Sequence, residues 1–216
     1  MTKAPEKSRV GMLKKVRMKP GFAVDIDNVL AAAEEEVQRI YRELTGEAWP
    51  VELYASAGGL DGSDFDRGLI EKIFDYFHDR SIHHLPVMPG ARSALQTLQR
   101  QFRIVIITAR RPTARPQTEE WLRAHKIPFD ELHLTGEKTE VAEDLAFAVD
   151  DHPAHAREYI SQGIRVFLMD QPWNRLFSAS GVTRVASWEQ LLQAFRSKPS
   201  WREMPTFPRV NPHGEN

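Results

Sequence analysis

Four carboxylates, one hydroxyl and one lysine set the chemical question in this chain. In "GFAVDIDNVL", residues 21–30, the apolar run Phe22, Ala23, Val24 ends in Asp25, and Asp27 follows with only Ile26 between them. The run "IVIITAR" ends in Thr108, "FAVDD" ends in Asp150 and Asp151, and Lys138 begins "KTEVAEDL", which reads as helix-like. Strand cores avoid carboxylates because burying an unpaired charge is costly, so acids at the ends of apolar runs need a chemical reason. Three or four of them at one point repel one another and have raised pKa values unless a cation neutralises them. Hard oxygen donors select Mg²⁺, which keeps several waters and often completes its shell with substrate phosphate. With that charge compensated, one carboxylate can attack phosphorus, as in aspartyl-phosphate enzymes. A second, two residues on, can protonate the leaving oxygen and then act as base for water. Thr108 through its hydroxyl and Lys138 as a point charge would hold the phosphoryl oxygens.

These side chains act together only if the elements carrying them end on one side of one sheet. Phe22–Asp25, Ile104–Thr108, Leu132–Leu134, Phe147–Asp150 and Val166–Met169 are apolar runs of strand length. They are near-continuous rather than alternating, as strands covered on both faces are. Helical segments separate the later runs. Pro89-Gly90 opens one with Ala91, Ala94, Leu95 and Leu98 on one face, and Trp121 and Leu122 mark the next. Pro153 sits at a first helical position with Gly163 ending that helix. Ser187 followed by Gln190 is a capping-box pattern opening a final helix with Leu191, Leu192 and Phe195 inside. Strands alternating with helices predict an α/β, Rossmann-like parallel sheet with helices on both faces, in which ligands bind beyond the carboxyl ends of the strands.

The interval between the first two runs breaks that rhythm, at roughly 75 residues where one crossover needs a dozen or so. It holds one helical pattern (Val29, Ala33, Val37, Ile40, Leu44), another (Leu69, Ile70, Ile73, Phe74, Phe77), and the loop "AGGLDGSD" between them. This predicts a small helical cap over residues 30–88, inserted after the first strand of a core made of residues 20–29 and 89–197. Residues 1–19, with seven Lys or Arg against one Glu, and the Pro-rich residues 198–216 read as tails. Trp201 and Phe207 could pin the second tail to the body.

Composition narrows the partners. The 216 residues have a formal net charge of −1, which implies no overall attraction to nucleic acid or anionic membrane. The absence of cysteine excludes disulfides, thiolate zinc sites and a cysteine nucleophile, and agrees with a reducing cytosol. No apolar stretch approaches the roughly 20 residues that span a bilayer, and the basic N-terminus lacks a signal peptide's apolar region. A soluble cytoplasmic protein acting on a small molecule is expected.

"DIDNV", then Thr108, Lys138 and "DD", in that order, resembles the four motifs of the haloacid dehalogenase-like phosphatases, over about Phe22 to Phe195. More narrowly, "LPVMPGARSALQTLQRQFRIVIITARRP" with "FAVDDHP" and "DQPWNR" is similar to the 5′(3′)-deoxyribonucleotidase (cytosolic type C 5′-nucleotidase) branch, which also has a helical cap between the first two motifs. The resemblance implies a phosphomonoesterase acting on nucleoside monophosphates, with Asp25 as nucleophile and Asp27 as acid/base. It implies phosphate binding by Thr108, Ala109 and Lys138. Mg²⁺ would sit on the Asp25 carboxylate, the Asp27 main-chain carbonyl and Asp150, with Asp151 orienting Lys138 or a metal-bound water. It places the first-motif strand centrally, between the second- and fourth-motif strands. A homodimer is left open. The rival readings are a phosphatase of another small phosphate ester and a non-catalytic metal- or phosphate-binding protein on the same fold.

Other residues have plainer readings beside the sharper ones. An EF-hand fails because Val29 and Leu30 stand where ligand and glycine are needed. Lys126, in "RAHKIP", fits a helix C-terminus better than the site. His83, His84, His152 and His155 read as solvated or capping, with His152 able to tune the site because it adjoins Asp151. Phe74 and Phe77 read as core. Trp49, Tyr54 and Phe65, in loops, could pack or stack on a base, and Arg110 and Arg111 could touch substrate or face solvent.

Overall fold

The computed structural model describes residues 19–50, 66–141 and 144–197. Among them six strands form one parallel sheet: β1 (Gly21–Val24), β2 (Arg103–Thr108), β3 (Glu131–Leu134), β4 (Leu145–Asp150), β5 (Arg165–Met169) and β6 (Val182–Val185). Their spatial order is β3-β2-β1-β4-β5-β6, so β1 is central with β2 on one side and β4 on the other. The five expected strands are present within a residue or two of their apolar runs. The sixth escaped the sequence pattern because "VTRV" is short, carries Arg184 and is mostly half-buried at the sheet edge.

Two-sided burial accounts for the continuous apolar runs. Phe22, Val24, Ile104, Ile106, Phe147 and Val149 face one core cluster, and their alternates Ala23, Val105, Ile107 and Ala148 face the other. Near the start of β1, the rings of Phe22, Phe102, Phe147, Phe167 and Phe195 pack with centroids 5.0–6.3 Å apart. The central strand is thus anchored in aromatic rings at one end and finishes in carboxylates at the other.

Six α-helices accompany the sheet among the described residues: α1 (Glu34–Thr45), α2 (Arg67–Tyr76), α3 (Ala91–Leu98), α4 (Arg115–Ala124), α5 (Pro153–Ser161) and α6 (Trp188–Arg196). The helix expected from Val29 starts only at Glu34. Asn28 adopts φ 60°, and its Oδ1 accepts the N–H groups of Ala33 and Glu34 at 3.2 and 2.9 Å, which satisfies the open helix end. Val29 is buried in the preceding turn, and Leu44 is 48% exposed rather than on the apolar face. After α2 the chain makes a π-turn over Phe77–Ser81, which buries Phe77 and leaves Phe74 exposed, so only one of that pair is core. In α6 the Ser187 Oγ accepts from Gln190 N at 3.2 Å, while the Gln190 side chain closes on Ala186 N.

The chain leaves β1 and returns towards β2 through a narrow stem. Ala31 and Val87 form an antiparallel bridge, Ala32 N donates to Pro86 O, and Met88 N donates to Leu30 O, both at 2.8 Å. Two buried tryptophans clamp it from the sheet side, Trp188 Nε1 on Val29 O and Trp121 Nε1 on Leu85 O, each at 2.8 Å.

Candidate active site

Asp25 is the first residue past β1, and its N–H donates to Val149 O of β4 at 3.1 Å, so the end of the central strand is tied to the end of its neighbour. Asp150 is the last residue of β4, and Asp151 follows. One carboxylate oxygen from each of Asp25, Asp150 and Asp151 lies within 4.8 Å of the others, and all three residues are buried. Lys138 bridges two of them, its Nζ donating to Asp25 Oδ1 and Asp150 Oδ2 at 2.7 Å each, and it is wholly buried.

Lys138 sits in a turn, not in the helix expected of "KTEVAEDL". Glu137 N donates to Thr135 Oγ1 at 3.1 Å, and Thr139 donates through both N and Oγ1 to Glu158 Oε1 of α5 at 2.9 Å. Threonine hydroxyls and a carboxylate thereby offer this backbone an alternative to helical bonding. They also fix the lysine between β3 and α5.

The electrostatics follow from burial and charge count. Burial, reinforced by Asp150 and Asp27, lifts Asp25 from 3.8 to about 6 despite the opposing Lys138 charge. Asp151 is pushed up by burial and by the Asp150 and Asp25 charges. Burial would raise Asp150 too, but Lys138 and His155 outweigh it and hold that carboxyl well below the usual range. Burial would lower Lys138, and the Asp150 and Asp25 charges reverse this.

The remaining predicted residues divide. Thr108 ends β2, is buried, and accepts from Arg110 N on its Oγ1 at 3.3 Å; Ala109 is exposed beside it. The Asp27 side chain does not join the other three acids. Arg110 donates to both its oxygens, Nε to Oδ2 at 2.9 Å and Nη2 to Oδ1 at 2.6 Å. Arg110 itself is 2% exposed, so it neither faces solvent nor reaches outward, whereas exposed Arg111 pairs with Asp75 of α2. Trp49 is half-buried and meets Tyr41 edge to face at 5.1 Å. Tyr54, Phe65, the "AGGLDGSD" glycines, Trp201 and Phe207 lie outside the described residues. Lys126 follows α4 at φ 53°.

Three contributors were not assigned to the site from sequence, His155 among them having been read as solvated or capping. His155 Nδ1 is 3.3 Å from Asp150 Oδ1, whereas His152 turns its Nδ1 to Ala154 N as the α5 cap and is driven by burial to about 4, hence neutral. Asn28 caps α1 as described. Asn174, fully buried, donates its Nδ2 to Asp151 O at 2.8 Å and Met169 O at 2.7 Å, while its Oδ1 accepts from Gln171 N and Arg184 Nη1. Its sequence signal was the motif "DQPWNR" itself, in which Asn174 follows Trp173.

A parallel sheet whose central strand is followed by a buried carboxylate, beside a bridging lysine and an acidic pair at the end of the next strand, fits the haloacid dehalogenase-like class of phosphoric monoester hydrolases. Residues 19–198 match the family described as "5' nucleotidase, deoxy (Pyrimidine), cytosolic type C protein", and the chain belongs to that family. It is similar to "Putative nucleotidase OB0422" of Oceanobacillus iheyensis, with 28% identity over 80% of this chain and 97% of that one. It is also similar to a "Putative 5'(3')-deoxyribonucleotidase" of Chlorobaculum tepidum, with 31% identity over 52% of this chain and 57% of that one. The fold is shared with a crystal structure of the "putative HAD-hydrolase YfnB from Bacillus subtilis bound to magnesium", with TM-score 0.56 and 13% identity over 83% of this chain and all of that one.

Proposed function

We propose that this protein is a Mg²⁺-dependent phosphomonoesterase that releases phosphate from (deoxy)nucleoside monophosphates through an aspartyl-phosphate on Asp25. The observation that carries the reading is the buried Asp25–Lys138–Asp150 bridge, with Asp151 beside it. Three buried carboxylates face a single lysine there, an excess of negative charge that suits a hard divalent cation bound by oxygen. The carboxylates of Asp25 and Asp150 would hold Mg²⁺ with the main-chain carbonyl of Asp27, joined by Asp151, which the resemblance gives only an orienting role but whose carboxylate lies within 4.8 Å of the other two. The ion would supply charge neutralisation for the incoming phosphate. The magnesium in the Bacillus subtilis structure of the same fold supports that choice.

The chain's own groups supply the rest. Lys138 engages Asp25 Oδ1, which leaves Oδ2 to attack phosphorus. The bond to the leaving oxygen breaks, and that oxygen takes the proton of Asp27. Asp27 then removes a proton from water, which attacks the acyl phosphate and regenerates the Asp25 carboxylate. Thr108 donates its hydroxyl to the phosphoryl oxygens beside Ala109, with Lys138 as the nearby positive charge. The segment between β1 and β2, whose described residues close on themselves at the Ala31–Val87 bridge, would act as the cap and present the surface that tells one leaving group from another. The family match and the deoxyribonucleotidase relative support a nucleotide there. Phosphate release from a panel of nucleoside monophosphates and sugar phosphates, with Mg²⁺ and after chelation, tests the proposal. Preference for nucleotides and dependence on Mg²⁺ are expected; equal use of both classes removes the nucleotidase reading, and full activity after chelation removes the metal.

A further inference from the structure

We propose that Arg110 is the positioning residue for Asp27, a role that rests on the acid/base reading of Asp27 given above. Asp27 stands outside the strands, in a tight turn where Ile26 O accepts the N–H groups of Val29, Leu30 and Ala31. Its side chain is 27% exposed. A carboxylate free to rotate two residues from Asp25 would be drawn towards the Lys138 ammonium or a bound cation, and would then be a ligand instead of an acid.

Arg110 removes that freedom. Both Asp27 oxygens accept from its fork through one lone pair each, which fixes the plane of the carboxyl as well as its distance and leaves a second lone pair for the proton it delivers. The fork is fixed in turn. Its Nη1 donates to Thr118 Oγ1 of α4 at 3.3 Å, its main-chain N–H donates to Thr108 Oγ1, and its guanidinium lies 5.9 Å from the Phe77 ring centroid. The arginine therefore ties the residue proposed to protonate the leaving group to the threonine proposed to hold the phosphate, and packs on the π-turn of the segment between β1 and β2. A lysine could supply the charge but not two parallel donors in one plane.

A purely architectural ion pair among β2, α4 and Phe77 would predict something different. Losing it would lower stability and slow every substrate alike. The distinguishing quantity is the dependence of rate on the leaving group, because only a proton donor's partner matters more as the leaving oxygen becomes more basic.

The test uses the full chain with Mg²⁺ and three phosphate monoesters of rising leaving-group basicity: p-nitrophenyl, phenyl and benzyl phosphate. Arg110→Lys is expected to lower kcat for benzyl phosphate by roughly 10–100-fold, part of what a general acid contributes, with KM nearly unchanged and p-nitrophenyl phosphate much less affected. Combined with Asp27→Asn, it should add little further loss, since both act through one carboxylate. Thr118→Val, which frees the fork without removing its charge, should tilt the series the same way by a smaller factor, and it carries the test if Arg110→Lys does not fold. Equal losses across the three esters, a change confined to KM, or additive losses with Asp27→Asn would overturn the proposal while Asp27→Asn alone still shows the tilt. If Asp27→Asn shows no tilt either, the acid/base reading fails and this inference falls with it.

Discussion

Asp25 is a carboxylate held where ionisation is unfavourable, and that sets its effect on stability. Its pKa is raised from 3.8 to about 6, first by burial and then by its acidic neighbours. A group raised in the folded state contributes stability that is fully present below its unfolded value and is lost as pH rises through the folded one. For Asp25 that window runs from about pH 4 to about pH 6, so in metal-free protein at neutral pH its charge opposes folding by on the order of 1–3 kcal/mol. Asp25→Asn is therefore expected to abolish turnover while leaving the metal-free melting temperature at pH 7 unchanged or a few degrees higher. The amide can still accept from Lys138. Phosphate release beside a thermal melt checks this, and a variant with more than a few percent of wild-type turnover removes Asp25 as nucleophile. The residue types of this site were legible because acids, a threonine and a lysine at the ends of apolar runs have few other reasons to be there. The pairing of Asp27 with Arg110 was not, because a sequence cannot show which way a side chain turns once two partners stand 83 positions apart.

The elements place these residues by tying the loops beyond the sheet to one another. Asn174 does this most economically, since one buried amide holds the main-chain carbonyls of Asp151 and Met169 and accepts from Gln171 and Arg184. Gln171 Nε2 reaches on to Asn28 O in the turn after Asp27, at 3.3 Å. Asn174→Leu strips two buried carbonyls of their donors and should cost about 2–6 kcal/mol, at roughly 1–3 per unsatisfied group. Because Asp151 loses its tether, the Mg²⁺ concentration for half-maximal activity should rise as well. Urea unfolding and a Mg²⁺ titration measure the two effects, and a variant with lower stability but unaltered Mg²⁺ response limits Asn174 to architecture. At this scale the sequence was most readable where both faces of a strand are covered, as in β2 and β4. It was least readable where local side-chain bonds override the pattern. Asn28 stops α1 from starting at Val29, Thr135 and Thr139 turn the backbone at Lys138, and Arg184 breaks the apolar run that would have marked β6.

For the whole molecule, the proposed metal site would join pH and stability in one balance. Asp25 and Asp151 are raised, so each weakens the metal-free fold as pH climbs from the ordinary carboxylate range up to its folded value. Asp150 is lowered, so its contribution is present above the ordinary carboxylate range and is lost on acidification. A divalent cation reverses the first pair, because carboxylates that coordinate must be ionised and binding then releases their protons. Mg²⁺ should therefore stabilise the protein more at pH 7.5 than at pH 5, where protons compete for Asp25 and Asp151. At a concentration 100 times its dissociation constant the gain is about 2.7 kcal/mol, which for a chain of this size is a rise of roughly 5–10 °C in Tm. Ca²⁺ should also raise Tm at pH 7.5, since the site offers it oxygen donors too, but its larger and looser shell should not support turnover. Thermal melts in chelator, Mg²⁺ and Ca²⁺ at the two pH values, with phosphate release measured in parallel, separate binding from catalysis. A Mg²⁺ shift that is equal at both pH values would mean that the ion does not take the place of the protons on these buried acids, and the carboxylate cluster would then be an internal charge network of the fold with its cation elsewhere.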